Sequence, residues 1–191
     1  RKGAWTHPKN LADHISPNGK HAYSPEVAMD NNSNAIIVWR QHDGSTWQIF
    51  KSEYRSDTWT YPSSLADNIS PNGSNADEAR VAMDDSGNAI IVWQQSDGLR
   101  EQIFKSEYRK GAWAHPSSLT DNISPDGESA FSPRVAMANN GNALIVWQQS
   151  DGSSDQIFKS EYRSQYHSSA WTHPSSLTDN ISPDGLPAYY P

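Results

Sequence analysis

The chain has 191 residues, no cysteine, and 15 basic against 22 acidic side chains, which gives a net charge of −7. This charge argues against nucleic acid or an anionic membrane surface as a partner, because both attract basic proteins. No apolar run is long enough to span a bilayer, so membrane insertion is not expected. The lack of cysteine excludes disulfides and thiolate metal sites.

A repeat of 54 residues dominates the chain, and Val-Trp pairs ending at Trp39, Trp93 and Trp147 mark it. Repeats of this length, built from short apolar segments and turn residues, are typical of propellers and related arrays. The repeats are 5–58, 59–112 and 113–170, with a partial fourth at 171–191. Residues 1–191 are therefore expected to form one repeat domain that is a fragment of a larger propeller.

From Val27 onward, the chain order predicts four short strands. The first contains Val27 and Met29, whose alternation is typical of a strand, and an Asn-rich turn follows it. The second, at 35–39, is apolar on both faces and is expected to be central. The third, at 48–55, is expected to be only partly buried. The fourth contains Pro62, and because proline donates no backbone hydrogen bond, this segment is expected at a sheet edge.

Four strands in about 54 residues match one propeller blade, so we predict an all-β, β-propeller-type array of four-stranded antiparallel blades. Three blades and a partial fourth are expected. A parallel β-solenoid is the alternative, although its coils are shorter and lack repeated hairpin turns. Because propellers contain about 4–8 blades, we expect these blades to combine with further blades of the same chain or with another copy that closes a six-bladed ring.

One segment also resembles a known repeat. The string Val-Ala-Met-Asp-Asp-Ser-Gly-Asn-Ala-Ile-Ile-Val-Trp-Gln-Gln at 81–95 is similar to a repeat of secreted and cell-surface bacterial β-propeller proteins. The turns at 124–127 and 150–152 resemble, more distantly, the Asp-box of sialidase-like propellers, S-x-D-x-G-x-x-W. They lack the residue between Asp and Gly. The resemblance implies a propeller fold and a secreted or cell-surface location, and it implies no particular activity.

Two connections differ most between the repeats: the turn between the second and third strands, and the approach to the first strand. In an up-and-down blade both lie on the same side, which makes that side the candidate ligand surface. The candidate ligand-binding residues are His21, Tyr23, Trp47, Arg100, Glu101, Phe131 and Asp155. The opposite side also varies, because a longer loop at 164–169 adds four residues to the third repeat.

No catalytic residue is assigned, because active sites need groups in unlike environments and here each candidate recurs in near-identical copies. No cofactor or metal ligand is assigned either. Calcium is considered at the turns where aspartates such as Asp67 precede a Pro-Asx-Gly motif, but Asx side chains also close turns by bonding their own backbone. The rings of the His-Pro pairs, such as His115, are expected to pack on the edge strand.

These observations predict a non-catalytic extracellular module that binds carbohydrate or adheres to surfaces, with a glycan or a cell-surface protein as its partner. In this hypothesis, exposed Trp47 and Tyr23 stack on sugar rings. The alternative is a structural repeat of a surface assembly or an extracellular filament. A third hypothesis is a part of a sialidase-like glycosidase.

Overall fold

The alternating apolar segments form twelve strands in the computed structural model, which describes residues 7–164, 170–183, 187–188 and 191. The first sheet contains β1 (Ala22–Met29), β2 (Ala35–His42), β3 (Trp47–Arg55) and β4 (Thr58–Thr60). The second contains β5 (Ala76–Met83), β6 (Ala89–Ser96), β7 (Glu101–Arg109) and β8 (Ala112–Ala114). The third contains β9 (Ala130–Met137), β10 (Ala143–Ser150), β11 (Asp155–Arg163) and β12 (Ala170–Thr172).

Each sheet is an antiparallel meander whose neighbouring strands follow one another in the chain. The expected all-β array of four-stranded antiparallel sheets is confirmed, and the described ranges contain no helix. The sheets are offset from the sequence repeats, because Trp59, which opens the second repeat, lies in β4 of the first sheet. In the same way, β12 at the start of the predicted fourth repeat completes the third sheet. Of the longer loop at 164–169, residues 165–169 lie outside the described residues.

The sheets pack face to face, and their first strands β1, β5 and β9 lie next to one another. Between the first and second sheets, Ile36 and Ile49 pack in one apolar core with Trp93. Between the second and third sheets, Ile90 and Trp147 belong to an equivalent core. The repeated tryptophans are buried as expected, with 3%, 0% and 0% of Trp39, Trp93 and Trp147 exposed.

A fully buried glutamine follows each of these tryptophans by two residues. In the second sheet, the indole of Trp93 donates to Gln95 Oε1 at 3.1 Å. Gln95 Nε2 in turn donates to the backbone carbonyls of Pro71 at 2.6 Å and Ser74 at 3.0 Å. Gln41 and Gln149 make the equivalent bonds in the other two sheets. Each sheet is thereby tied to the connection that precedes it.

Two expectations for the third and fourth strands are corrected. The third strand was expected to be only partly buried, yet Ile49 and Phe50 in β3 are fully buried because the neighbouring elements cover both faces of its first half. The fourth strand is at the sheet edge as predicted, but it has only three residues and ends before Pro62. Because proline follows the strand, it withholds no hydrogen bond from the sheet.

Each innermost strand is irregular near its start, where its pairing with the second strand shifts register. At this bulge a residue other than glycine has a positive φ: 55° at Ser24, 52° at Glu78 and 54° at Ser132. Such conformations cost about 1–3 kcal/mol and persist where the surrounding structure fixes them. Bulges re-aim the adjacent side chains, and the residues that precede these three are Tyr23, Asp77 and Phe131.

Candidate functional site

The variable connections lie together on one side of the array, here called the loop face, which comprises the turns 43–46, 97–100 and 151–154 and the approaches to β1, β5 and β9. The backbone N–H of Trp47 donates to Asn75 Oδ1 at 2.9 Å, which joins a turn of the first sheet to the approach of the second. Arg100 pairs with Glu128 at 2.9 Å at the next junction. The loop face is therefore continuous across the three sheets.

Three of the predicted residues form an aromatic cluster on the first sheet. The ring centroids of His21 and Tyr23 lie 6.0 Å apart, and those of Tyr23 and Trp47 lie 5.6 Å apart. The edge of His42 approaches Trp47 at 5.3 Å. Tyr23 is 48% exposed. Trp47 was expected to be an exposed residue of the loop, but it begins β3 and is partly buried because these neighbours pack on it.

The guanidinium of Arg40 lies against this cluster, 5.1 Å from the Trp47 ring centroid and 5.9 Å from that of Tyr23. It also forms an ion pair with Asp77 of the second sheet. The two side chains are 30% and 38% exposed, so solvent reaches the pair. Asp77 thus brings a carboxylate to the edge of an aromatic surface, in an arrangement of apolar rings and oriented polar groups that is typical of ligand sites.

Glu101 supplies a second acidic group near Asp77. Burial raises the pKa of Glu101, and the negative charges of Asp77 and Asp97 raise it further. A carboxyl group with a raised pKa keeps its proton to higher pH, which is the property that a general acid requires. Its backbone N–H donates to Ser129 Oγ at 3.3 Å, and this bond anchors Glu101 to the approach of the third sheet.

The other predicted residues lie on the loop face but outside the aromatic cluster. Arg100 is exposed and engaged with Glu128. Phe131 is 39% exposed at the start of β9. Asp155 Oδ2 accepts a bond of 3.0 Å from Gln148 Nε2. Of the predicted ligand-binding residues, only those of the first sheet therefore form a cluster. Glu101 and Arg100 lie on the second sheet, and Phe131 and Asp155 lie on the third.

Arg40 and Asp77 are central to the cluster, and neither was among the predicted site residues. A comparison of equivalent positions would have found both. Arg40 replaces a residue that is glutamine in the other two copies, Gln94 and Gln148, and Asp77 replaces an aromatic residue. Their contact joins two sheets, however, and the packing of sheets is not readable from a repeat pattern.

The loop face is chemically asymmetric, which corrects the argument against catalysis from near-identical copies. Three structurally equivalent positions carry different residues in the first, second and third sheets: Tyr23, Asp77 and Phe131; Arg40, Gln94 and Gln148; and Trp47, Glu101 and Asp155. The scaffold repeats while these positions do not. The carboxyl groups of Asp77 and Glu101 therefore have different surroundings, as a catalytic acid and base require.

The repeated polar motifs outside this face have structural contacts. The His115 ring stacks on Trp113 with centroids 5.4 Å apart, and His173 stacks in the same way on Trp171, as expected. Asp67 Oδ2 accepts bonds from the Ser63 N–H at 2.7 Å and the Ser64 N–H at 2.9 Å, so this carboxylate closes its turn. In the described part of the chain, no three His, Cys, Asp or Glu side chains are placed to hold a metal ion.

Comparison with known proteins reveals similarity at the level of structure. No protein-family profile and no curated protein sequence matches the chain. A polysaccharide lyase matches with a TM-score of 0.51 and 11% identity over 78% of this chain and 40% of the lyase. A glycosyl hydrolase from Bacteroides ovatus matches with a TM-score of 0.50 and 13% identity over 94% of this chain and 60% of the hydrolase. The chain spans less than two thirds of either matched structure, and at these identities the likeness shows the fold alone.

These comparisons contradict the expected function. The sequence predicted a non-catalytic binding or adhesive module, with a filament module as the alternative, and it predicted that the chain is not an enzyme. The matched structures are instead a polysaccharide lyase and a glycosyl hydrolase, which are enzymes that act on carbohydrate. The prediction that the chain is not an enzyme rested on candidate residues that recur in every repeat, and it gave too little weight to the positions that differ. Among the described residues, no helix is long and apolar enough to cross a membrane.

Proposed function

We propose that this chain forms part of a β-propeller enzyme that cleaves glycosidic bonds, and that the loop face holds its saccharide. The observation that carries the proposal is the group formed by Tyr23, Trp47, Arg40, Asp77 and Glu101. It combines aromatic rings with oriented polar groups and with an acid whose pKa is raised. The carbohydrate-active proteins of similar fold support the proposal.

Each member of the group has a role that its chemistry supports. The Tyr23 ring, which is nearly half exposed, presents an apolar face to a sugar ring, and Trp47 and Arg40 hold that ring in place. Arg40, held by its ion pair with Asp77, donates to sugar hydroxyls. Glu101 donates its proton to the glycosidic oxygen as general acid, and Asp77 supplies the second carboxylate of the pair, which assists the attack of water on the freed sugar carbon.

Completion of the propeller is also part of the proposal, since about 4–8 blades close such a ring. Further sheets, from the same chain or another copy, supply the rest of the ring. The likeness of 81–95 to secreted bacterial repeats supports a location outside the cell, where polysaccharides are found. A glycan is accordingly the proposed partner.

The proposal is tested by incubating the protein with a panel of neutral and acidic polysaccharides and measuring new reducing ends. Removal of a general acid slows reactions by about 10²–10⁴-fold, so Glu101→Gln is expected to lower kcat by that factor. Trp47→Ala is expected to raise KM more than it lowers kcat. Ser86→Ala is the control, because Ser86 is exposed in the turn between β5 and β6 and lies outside the loop face.

The pH profile gives an independent check. Because the Glu101 acid works only while protonated, activity is expected to fall as the pH rises through its raised pKa. Glu101→Gln is expected to remove this limb of the profile. A Glu101→Gln variant as active as the unaltered protein, or a panel in which no saccharide is cleaved, would overturn the proposal.

A further inference from the structure

The two internal sheet interfaces share a pattern of contacts beyond the apolar core. In the first interface, Lys51 Nζ lies 4.6 Å from the Trp113 ring centroid, and Glu53 Oε1 accepts a bond of 2.8 Å from Trp113 Nε1. Arg55 Nη1 donates to the Gly87 carbonyl at 3.0 Å. The third strand of one sheet thus presents three alternate charged residues to the next sheet.

The second interface repeats each of these contacts. Lys105 Nζ lies 4.9 Å from the Trp171 ring centroid, and Glu107 Oε2 accepts a bond of 2.6 Å from Trp171 Nε1. Arg109 Nη1 donates to the Gly141 carbonyl at 3.2 Å. Because equivalent groups meet at similar distances in both interfaces, these contacts are a repeated way of joining one sheet to the next.

The third sheet carries the charged half of this interface on its outer face. Its equivalents Lys159, Glu161 and Arg163 have side chains that are 39%, 30% and 69% exposed. In the first sheet the corresponding values for Lys51, Glu53 and Arg55 are 17%, 12% and 20%. The charged residues of the third sheet are therefore less covered than their internal counterparts.

The apolar residues of the third sheet show the same difference. Leu144 is 39% exposed, whereas its equivalents Ile36 and Ile90 are fully buried. Ile181 is 51% exposed, whereas Ile69 is 6% exposed. A groove of about 410 Å³ lies on this face and is lined by Leu144, Tyr162 and Arg163 among others. This outer face has the composition of an interface core.

The first sheet carries the complementary half. Trp59 stands at the position of Trp113 and Trp171 and is 37% exposed. Val27 and Met29 are 61% and 63% exposed, whereas their equivalents Val81 and Met83 pack against the first core. Ser33 has a φ of 69°, close to the 78° of Gly87 and the 84° of Gly141. Its N–H donates to the Asp30 carbonyl as that of Gly87 does to Asp84, so the first sheet repeats the turn whose carbonyl accepts arginine in the other two.

We infer that the outer face of the third sheet binds the outer face of the first sheet in a second copy of this chain. Lys159 then lies over the ring of Trp59, Glu161 accepts the indole N–H, and Arg163 donates to the Ser33 carbonyl. Two such joints place six sheets in one ring, within the usual range of about 4–8 blades. The inference rests on the repetition of the internal interface and not on the proposed enzymatic activity.

The test measures molecular mass by sedimentation velocity over a range of protein concentrations. The unaltered chain is expected to reach the mass of two copies. Trp59→Ala is expected to weaken this association by about 30-fold or more, as truncation of a tryptophan hot spot does. Arg163→Glu, on the opposite face, is expected to weaken it as well. Circular dichroism tests whether both variants are folded. If Trp59→Ala is unfolded, Val27→Ser takes its place.

A mixture of the two variants distinguishes the joint from a general loss of structure. In a dimer of either variant, both joints contain one altered face and one unaltered face. In a mixed dimer, the unaltered third sheet of the Trp59→Ala copy meets the unaltered first sheet of the Arg163→Glu copy, so one of the two joints is intact. The mixture is therefore expected to form more dimer than either variant alone. An unaltered chain that stays monomeric at all concentrations, or variants that associate as well as it does, would overturn the inference.

Discussion

At the scale of single residues, equivalent positions of the three sheets carry side chains of different chemistry at the loop face. Tyr23, Asp77 and Phe131 follow the same backbone path to the same bulge, yet they offer a ring, a carboxylate and another ring. In each sheet, the residue after this position has an unfavourable positive φ, and the bulge that contains it places the side chain at the loop face. Variation at these positions changes the ligand surface without changing the fold.

The tryptophan positions behave in the opposite way, because their role is the same in every sheet. Trp93 is fully buried, stacks near Phe104 with centroids 6.1 Å apart, and belongs to the sheet that has neighbours on both sides. We expect Trp93→Ala to lower the free energy of unfolding by about 3–5 kcal/mol, since the protein cannot refill so large a cavity. Urea denaturation followed by circular dichroism measures the change.

The exposed Leu99→Ala provides the reference for Trp93→Ala. Its free energy of unfolding should match that of the unaltered chain within about 0.5 kcal/mol, as surface substitutions usually do. A loss of less than about 1 kcal/mol for Trp93→Ala would contradict the placement of Trp93 in the core.

At the scale of the strands, the contacts between β3 and β8 join two sheets through charged groups in a partly dry setting. Burial acts to raise the pKa of Glu53, but hydrogen bonds from Lys51 and Arg55 outweigh it and hold the pKa below its ordinary value. Burial, with the nearby positive charge of Lys51, lowers the pKa of His115 to about 4. At neutral pH, His115 is therefore uncharged and Glu53 is charged.

The histidines make stability depend on pH in a definite direction. An unfolded histidine has a pKa of about 6.5, so between that value and about 4 the unfolded chain binds more protons than His115 and His173 do in the folded protein. Stability is therefore expected to fall as the pH drops through this window. The urea midpoint, measured at about pH 7 and pH 5, should decrease.

The first sheet suggests the control for this experiment, because Tyr61 stands where the others have histidine and stacks on Trp59. Replacing both histidines, as His115→Tyr and His173→Tyr, should reduce the change in midpoint between the two pH values. Glu53 contributes little between about pH 7 and pH 5, because its stabilising charge begins to be lost only as the pH falls towards the ordinary glutamate pKa of about 4.3. An undiminished change in the double variant would assign the pH dependence to other groups.

At the scale of the whole molecule, the middle sheet is packed on both faces and the outer sheets on one face each. In stacked repeats, stability comes largely from contacts between neighbours. We expect backbone amides of β6 to exchange hydrogen most slowly, and those of β1 and β12 most rapidly. Hydrogen exchange followed by mass spectrometry, at a concentration where the chain is monomeric, gives the order. Equal protection of all three sheets would contradict it.

The strands and their sheets could be predicted from the sequence, but the contacts between the sheets could not. The alternation around Val27 and the apolar run that ends at Trp39 predicted the strands, because side-chain period is a local property. The ion pair between Arg40 and Asp77 depends on how two sheets approach each other, and no local pattern encodes that approach. Gln95 was overlooked for another reason: a glutamine in a strand is typical of a surface, and only its hydrogen bonds to Trp93, Pro71 and Ser74 explain its burial.

The bonds of Gln95 to Pro71 and Ser74 also bear on how such a chain grows during evolution. They link each sheet to the connection before it, so the unit that a gene duplication must copy intact begins near residue 71 and not at β5. A recombination breakpoint between Ser74 and Gln95 would join the glutamine to a foreign connection. If that connection followed a different path, its backbone carbonyls would lie out of reach, and the amide would be left unsatisfied at a cost of about 1–3 kcal/mol. Selection should therefore favour breakpoints upstream of the Ser-Pro-Asx-Gly motif.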